Sequence, residues 1–248
     1  MERKKYTLIT LLLFLLTTNI SKADYKTQIY TAYISNDMSA WKKTIDEMDK
    51  ITGKSKLLML ELVNYQYGYI AWCIGMKKYD EAEFYLDKAD ETIEYLEDEE
   101  FELSLIHAYQ SAFFGFRIGI SPYKAPILGP RSVGSAQDAI DLDKNNPYGY
   151  IQYGNCQYFM PVAFGGSKQV AIVYYTKAQM LIEADKEKLK NDWNYLSLLA
   201  MIAKAYTETN NIEKAVFYYE KILKIEPEFL WVKNELYPQL KKNNLQKK

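Results

Sequence analysis

Apolar and small residues recur along this chain at spacings of three and four, the rhythm of one stripe on an α-helix. The clearest instance is Lys78-Tyr79-Asp80-Glu81-Ala82, followed by Leu86 and Ala89. The phrase returns as Ser167-Lys168-Gln169-Val170-Ala171 with Tyr175 and Ala178, and as Asn211-Ile212-Glu213-Lys214-Ala215 with Tyr219 and Ile222. A repeated unit of this kind cannot bury its apolar face alone and must stack on a neighbour. Ala82, Ala171 and Ala215 occupy the small site of such a unit, 89 and 44 residues apart. Strand-like alternation is hard to find. The pattern predicts an all-α solenoid of stacked antiparallel hairpins.

The boundaries follow from turn and cap residues. Hairpin one is expected over Asp24–Ile34 and Met38–Ile51, with Ser35-Asn36-Asp37 as turn and N-cap. Hairpin two takes Lys56–Met76 and Asp80–Tyr95. Hairpin three takes Glu100–Ile118 and Arg131–Leu142, across a long Pro- and Gly-marked connection at Gly119–Pro130. Hairpin four takes Pro147–Met160 and Lys168–Glu183, joined by Pro161-Val162-Ala163-Phe164-Gly165-Gly166. Hairpin five takes Asn191–Thr209 and Ile212–Ile225, and a capping helix is expected from Pro227 to Lys242.

The first 23 residues stand apart from this rhythm. Arg3, Lys4 and Lys5 precede an apolar run from Thr7 to Thr18, and Ser21-Lys22-Ala23 supplies a cleavage site. The segment reads as a signal peptide cleaved near Ala23, with a retained anchor as the alternative. The expectation is one domain, 24–248, exported to the periplasm or beyond. Losing Arg3, Lys4, Lys5 and Lys22 together with Glu2 moves the net charge from −1 to −4. A mildly acidic, mixed surface argues against nucleic acid and against an anionic membrane as partners.

Hairpins two and five resemble tetratricopeptide repeats, through Tyr79-Asp80-Glu81-Ala82 with Ala89, and through Tyr206, Ala215, Tyr219 and Pro227. Ala139-Ile140-Asp141-Leu142-Asp143 leading to Asn145-Asn146-Pro147 resembles the junction between two such repeats, and Gly154 falls where that family has its glycine. Laid on that family's consensus, the chain resembles five hairpins with small sites at Trp41, Ala82, Ser132, Ala171 and Ala215, spaced by 41, 50, 39 and 44 residues. It departs from the consensus in Trp41 and Ser132 themselves and in a five-residue insertion between Gly154 and Ala171. The resemblance implies a TPR-like α-solenoid that binds a peptide or protein on its concave face. Pro161-x2-Phe164-Gly165-Gly166 in an exported chain is also similar to the T component of some TRAP-type transporters, which implies a small-molecule accessory protein instead.

Catalytic raw material is scarce. His107 is the lone histidine, and no nucleophile elbow, P-loop or metal-ligand spacing is present. The expectation is a non-enzyme with no cofactor and no metal. Glu97-Asp98-Glu99-Glu100 reads as a helix junction rather than a cation site. Cys73 and Cys156 sit in first helices two repeats apart, about 20 Å by helix packing distances, whereas a disulfide needs Cα atoms within about 7 Å. Two buried free thiols are expected.

Arg117 and Arg131 are the only arginines after residue 23, and they flank the same connection. A guanidinium fork suits a carboxylate or phosphate, so the pair marks an anion or partner-carboxylate site, or else ties down the long loop. Phe164, held between Pro161 and Gly165-Gly166, is either packed beneath its turn or an exposed anchor. First helices should line the concave face, where Tyr65, Tyr148, Gln152 and Gln157 offer aromatic and polar contacts. The candidate site is therefore Arg117, Arg131, Phe164, Gly165, Gly166, Tyr148 and Gln152. Its expected partner is a protein or peptide of the cell envelope.

Overall fold

The computed structural model describes residues 24–187 and 189–245. The expected signal segment lies outside them. Helices α1 (Tyr25–Ile34) and α2 (Met38–Asp49) form the first hairpin, and α3 (Lys56–Gly75) and α4 (Tyr79–Asp98) the second. The third is α5 (Leu103–Ile120) with α6 (Ala125–Leu142), the fourth α7 (Pro147–Phe159) with α8 (Lys168–Glu183), and the fifth α9 (Trp193–Glu208) with α10 (Ile212–Ile225). A π-turn at Val232–Leu236 leads into α11 (Tyr237–Leu245). Among the described residues there is no strand. The architecture is the expected all-α, TPR-like solenoid.

The repeated phrase does what its spacing requires. Ala82, Ala171 and Ala215 are fully buried, and so are Leu86, Ala89, Tyr175 and Ala178. At Gly154 a Cβ would come within 2.6 Å of the Tyr175 ring, so only glycine lets α7 and α8 approach this closely. Hairpins one, two and five turn in the same way. Asn36, Lys77 and Asn210 take left-handed φ values of 57°, 58° and 59°. The amides that follow, of Asp37, Lys78 and Asn211, return to the carbonyls of Ala32, Cys73 and Tyr206 at 2.8 Å in each case. This is a Schellman stop, which satisfies the last carbonyls of each first helix.

Hairpins three and four turn differently. The expected long connection at Gly119–Pro130 is much shorter, because α6 begins at Ala125 and the link is a single 3₁₀ turn, Pro122–Lys124. Pro126 sits in the first helical turn, where an amide has no intrahelical acceptor to lose; only Pro130 removes a bond. In hairpin four, Val162–Phe164 form a second 3₁₀ turn. The capping helix also starts later than expected. Phe229 is buried first, and the widened turn closed by Tyr237 N–H on the Val232 carbonyl makes room for Pro238, which has no N–H to give.

The array does not stay open. Trp193 at the start of α9 lies edge-on to Trp41 of α2, with ring centroids 4.9 Å apart, and to Tyr33 of α1 at 5.6 Å. Tyr33 also reaches Phe229 at 4.8 Å. Trp193 donates its indole N–H to Asn64 Oδ1 at 3.0 Å, and Tyr30 donates its hydroxyl to Glu226 at 2.9 Å. Gly68 of α3 makes room for both tryptophans, since a Cβ there would lie 2.6 Å from each ring. Trp41 stands at a small site without expanding the repeat because Gly68 supplies the missing volume. The last hairpin thus packs on the first two, and the first helices meet across the centre.

Candidate functional site

Closure of the array decides what remains of the concave face. Gln152 is 1% exposed and Gln157 and Tyr65 are also buried, so these side chains reach no partner surface. Gln152 Oε1 accepts from Asn155 Nδ2 at 2.8 Å, and Tyr175 donates to Asn155 Oδ1 at 2.7 Å. Together with Tyr67, Tyr148 and Ser197, and with Ile151, Leu198 and Met201, they line a small cavity of about 30 Å³. That volume is on the scale of two water molecules.

Tyr148 separates this cavity from a wider cleft of about 200 Å³ that opens outward. Leu57, Leu60, Leu105 and the Tyr109 and Tyr148 rings form its apolar walls, with Glu61 and Asn64 among them. Asn64 is fixed by four hydrogen bonds: its amide donates to Tyr109 and Asn194, and its oxygen accepts from Trp193 and Asn194. Tyr65 donates to Glu61 Oε1 at 2.6 Å; burial and that carboxylate push the Tyr65 hydroxyl pKa up. Burial raises the Asp192 carboxyl too, against two amides, of Tyr195 and Asn194, that favour its charged form. The charge of Asp192 acts on Tyr109 and Tyr148 and that of Asp24 on Tyr65, while Lys26 acts on both carboxylates.

Phe164, Gly165 and Gly166 lie at the other end of the first helices. Phe164 is 77% exposed and Val162 beside it 83%, so neither tucks under the turn. The turn itself is well built. Phe164 N–H and Gly166 N–H both return to the Pro161 carbonyl, Gly165 N–H to Val162, and Ser167 N–H to Gln157. Gly165 has φ +95°, and a Cβ on Gly166 would sit 1.8 Å from the Met160 carbonyl oxygen. Both glycines are therefore demanded by the backbone, and their product is a pair of apolar side chains held in water.

The two arginines do not converge on one ligand. Arg117 forks onto Asp90 and Asp87 of α4, reaching Asp87 at 3.3 Å, which ties α5 to α4. Arg131 lays its guanidinium 4.3 Å from the Phe114 ring centroid and has no carboxylate partner among the described residues. The structural reading holds for Arg117, and Arg131 keeps an unpaired charge near the α5–α6 turn. Cys73 and Cys156 are free, as expected; Cys73 is buried, while Cys156 is only partly so and lies 3.3 Å from Ser132 Oγ. His107 is half-buried, and its Nδ1 has no partner. Glu97 and Glu99 accept from Gln110 and Lys56, which fits a helix junction. Among the described residues no cluster of His, Cys, Asp and Glu has metal-site geometry.

Sequence reasoning placed Tyr148 on a concave face and did not name Leu57, Leu60, Glu61, Asn64, Leu105 or Tyr109. The signal was present in α3, whose first half is apolar except for Lys56, Glu61 and Asn64.

Residues 196–229 match the tetratricopeptide-repeat family model, which covers most of hairpin five. No curated protein matches the chain. Among solved structures, the HusA haemophore from Porphyromonas gingivalis is similar in fold, with a TM-score of 0.62 at 17% identity, over 77% of this chain and 96% of that one. The fold is TPR-like, and one segment of it matches a tetratricopeptide repeat.

Proposed function

We propose that this chain is an exported, non-catalytic scaffold that takes a short segment of an envelope protein into the cleft at Tyr148. The observation that carries the reading is the cleft itself, which is apolar-walled, about 200 Å³ in volume and bounded by Glu61. Pockets for drug-sized molecules run from about 300 Å³ upward, so this one suits one or two side chains of a peptide. Glu61 at the cleft suits a basic residue beside an aliphatic one. His107 has no group to orient its ring, which weighs against a general-base role. HusA is a haemophore, so the fold it shares with this chain serves binding there.

The test is co-purification from the parent cell envelope with wild type, Leu57→Asp and Glu61→Lys. Leu57 is 69% exposed, so its change leaves the core alone; Glu61 is half-buried and accepts the hydroxyl of the buried Tyr65, so unchanged helical circular dichroism of Glu61→Lys is part of the test. One defined protein held by wild type and lost from both variants is the expected result. Equal capture by all three would remove the cleft from the account, and a bound small molecule in place of a protein would favour the transporter-accessory alternative.

A further inference from the structure

The turns of hairpins three and four carry a feature that the cleft does not use. Antiparallel hairpins in one array place all their turns at one edge, and Ser132 against Cys156 at 3.3 Å aligns α6 with α7 so that these two turns are neighbours. At that edge Tyr123 is 80% exposed, Ile127 72%, Phe159 69%, Val162 83% and Phe164 77%. Hairpins one and five carry no large apolar side chain at their turns. The five side chains project from this edge into solvent.

Acidic residues thin out along the chain in the same place, and those that pack nearby, Asp87, Asp90 and Glu208, are taken up by Arg117 and Lys168. The chain as a whole is acidic, yet no Asp or Glu occurs from Leu103 to Gln137 or from Lys144 to Ile182. Those two stretches contain both turns. Lys124 and Arg131 have no carboxylate partner among the described residues, and Lys168 stands at the foot of the Phe164 turn, paired with Glu208 at 3.2 Å. Projecting apolar groups need a matching socket on a protein, whereas a bilayer interface accepts any shape and rewards a cation behind each apolar tip.

We infer that this edge docks on an anionic lipid surface, with Tyr123, Ile127, Phe159, Val162 and Phe164 entering the headgroup–acyl boundary and Lys124 and Arg131 against the phosphates. The two rigid glycine-bearing and proline-bearing turns act as fixed prongs. The cleft sits near the N-terminal ends of α3, α5 and α7. At 1.5 Å per residue, Leu60 is about 22 Å along α3 from the turn edge, so docking leaves the cleft facing away from the bilayer.

Vesicle flotation tests this inference independently of the cleft. The protein is mixed with vesicles of phosphatidylcholine alone or with phosphatidylglycerol added, and compared with Val162→Ser/Phe164→Ser and with Lys124→Glu/Arg131→Glu. An apolar leader, if carried, is common to all and cancels in the comparison. Wild type should bind the anionic vesicles, and each double variant should bind at least about tenfold more weakly with unchanged helical circular dichroism. Raising the salt should weaken wild type. Equal flotation of wild type and both variants, or none with anionic vesicles, overturns the proposal. So does a photo-crosslink from position 164 to an envelope protein in the absence of lipid, which would make this edge a protein site.

Discussion

Replacing Trp193 by alanine should open the array. The side chain is 5% exposed and joins three hairpins: edge-on contacts to Trp41 and Tyr33, close approach to Gly68, and an N–H donated to Asn64. A buried Trp→Ala change costs about 3–5 kcal/mol, and edge-to-face aromatic pairs add to the loss beyond area alone. Asn64 Oδ1 keeps its bond from Asn194 at 3.1 Å, so no orphaned acceptor adds a further penalty. The expected loss is therefore about 4–5 kcal/mol, a large part of the 5–15 kcal/mol typical of a domain. With a urea m-value of about 3 kcal/mol/M the unfolding midpoint should fall by about 1.5 M. Gly68→Ala, which forces a methyl group against both tryptophans, should cost about 1–3 kcal/mol in wild type and measurably less when Trp193 is already gone. A loss below about 1 kcal/mol for Trp193→Ala, or strict additivity of the two changes, would refute closure through this residue.

Gly166→Ala should destabilise the protein by about 1–3 kcal/mol in thermal melts, because the new methyl meets the fixed Met160 carbonyl rather than a movable side chain. Glu183 takes hydrogen bonds from Lys221, Tyr195 and Gln179; burial raises its carboxyl pKa, and these partners more than reverse that, leaving it below the ordinary value. A folded-state pKa below the unfolded one means stability that is fully present above about pH 4.3 and lost as pH falls through the folded value. The stability gap between wild type and Glu183→Gln should accordingly be flat near neutrality and close below about pH 4. Arg117→Lys should lower the urea midpoint more than Arg131→Lys, since only the first removes a two-carboxylate fork between α4 and α5.

The helices were legible where a small residue and its partners three and four positions away had to lie on one stripe, as at Ala82, Ala171 and Ala215. The link after Ile120 was not, because Pro122, Pro126 and Pro130 read as a loop, while the first turn of a helix tolerates Pro126 at little cost and α6 continues through Pro130 with one bond lost. Gly165-Gly166 announced a tight turn, yet nothing local fixed the side on which Phe164 emerges. Arg117 could be read as a structural pair, and Asp87 and Asp90, one helical turn apart, are the reason it is one. The inner face was the hardest part. Its occupancy depends on Trp193 meeting Trp41 and Gly68 across more than a hundred residues of sequence, and no periodicity reports such a contact. That contact buries Gln152 and leaves Tyr148 at the edge of a cleft.

The most direct measurement is photo-crosslinking in living cells with a benzophenone amino acid placed singly at Leu57, in the cleft, and at Val173, which is 65% exposed on α8. A partner segment seated beside Tyr148 should give a discrete crosslinked protein from position 57, none from position 173, and loss of the position 57 product when Glu61→Lys is added. The same product from both positions, or none from position 57, would contradict the account.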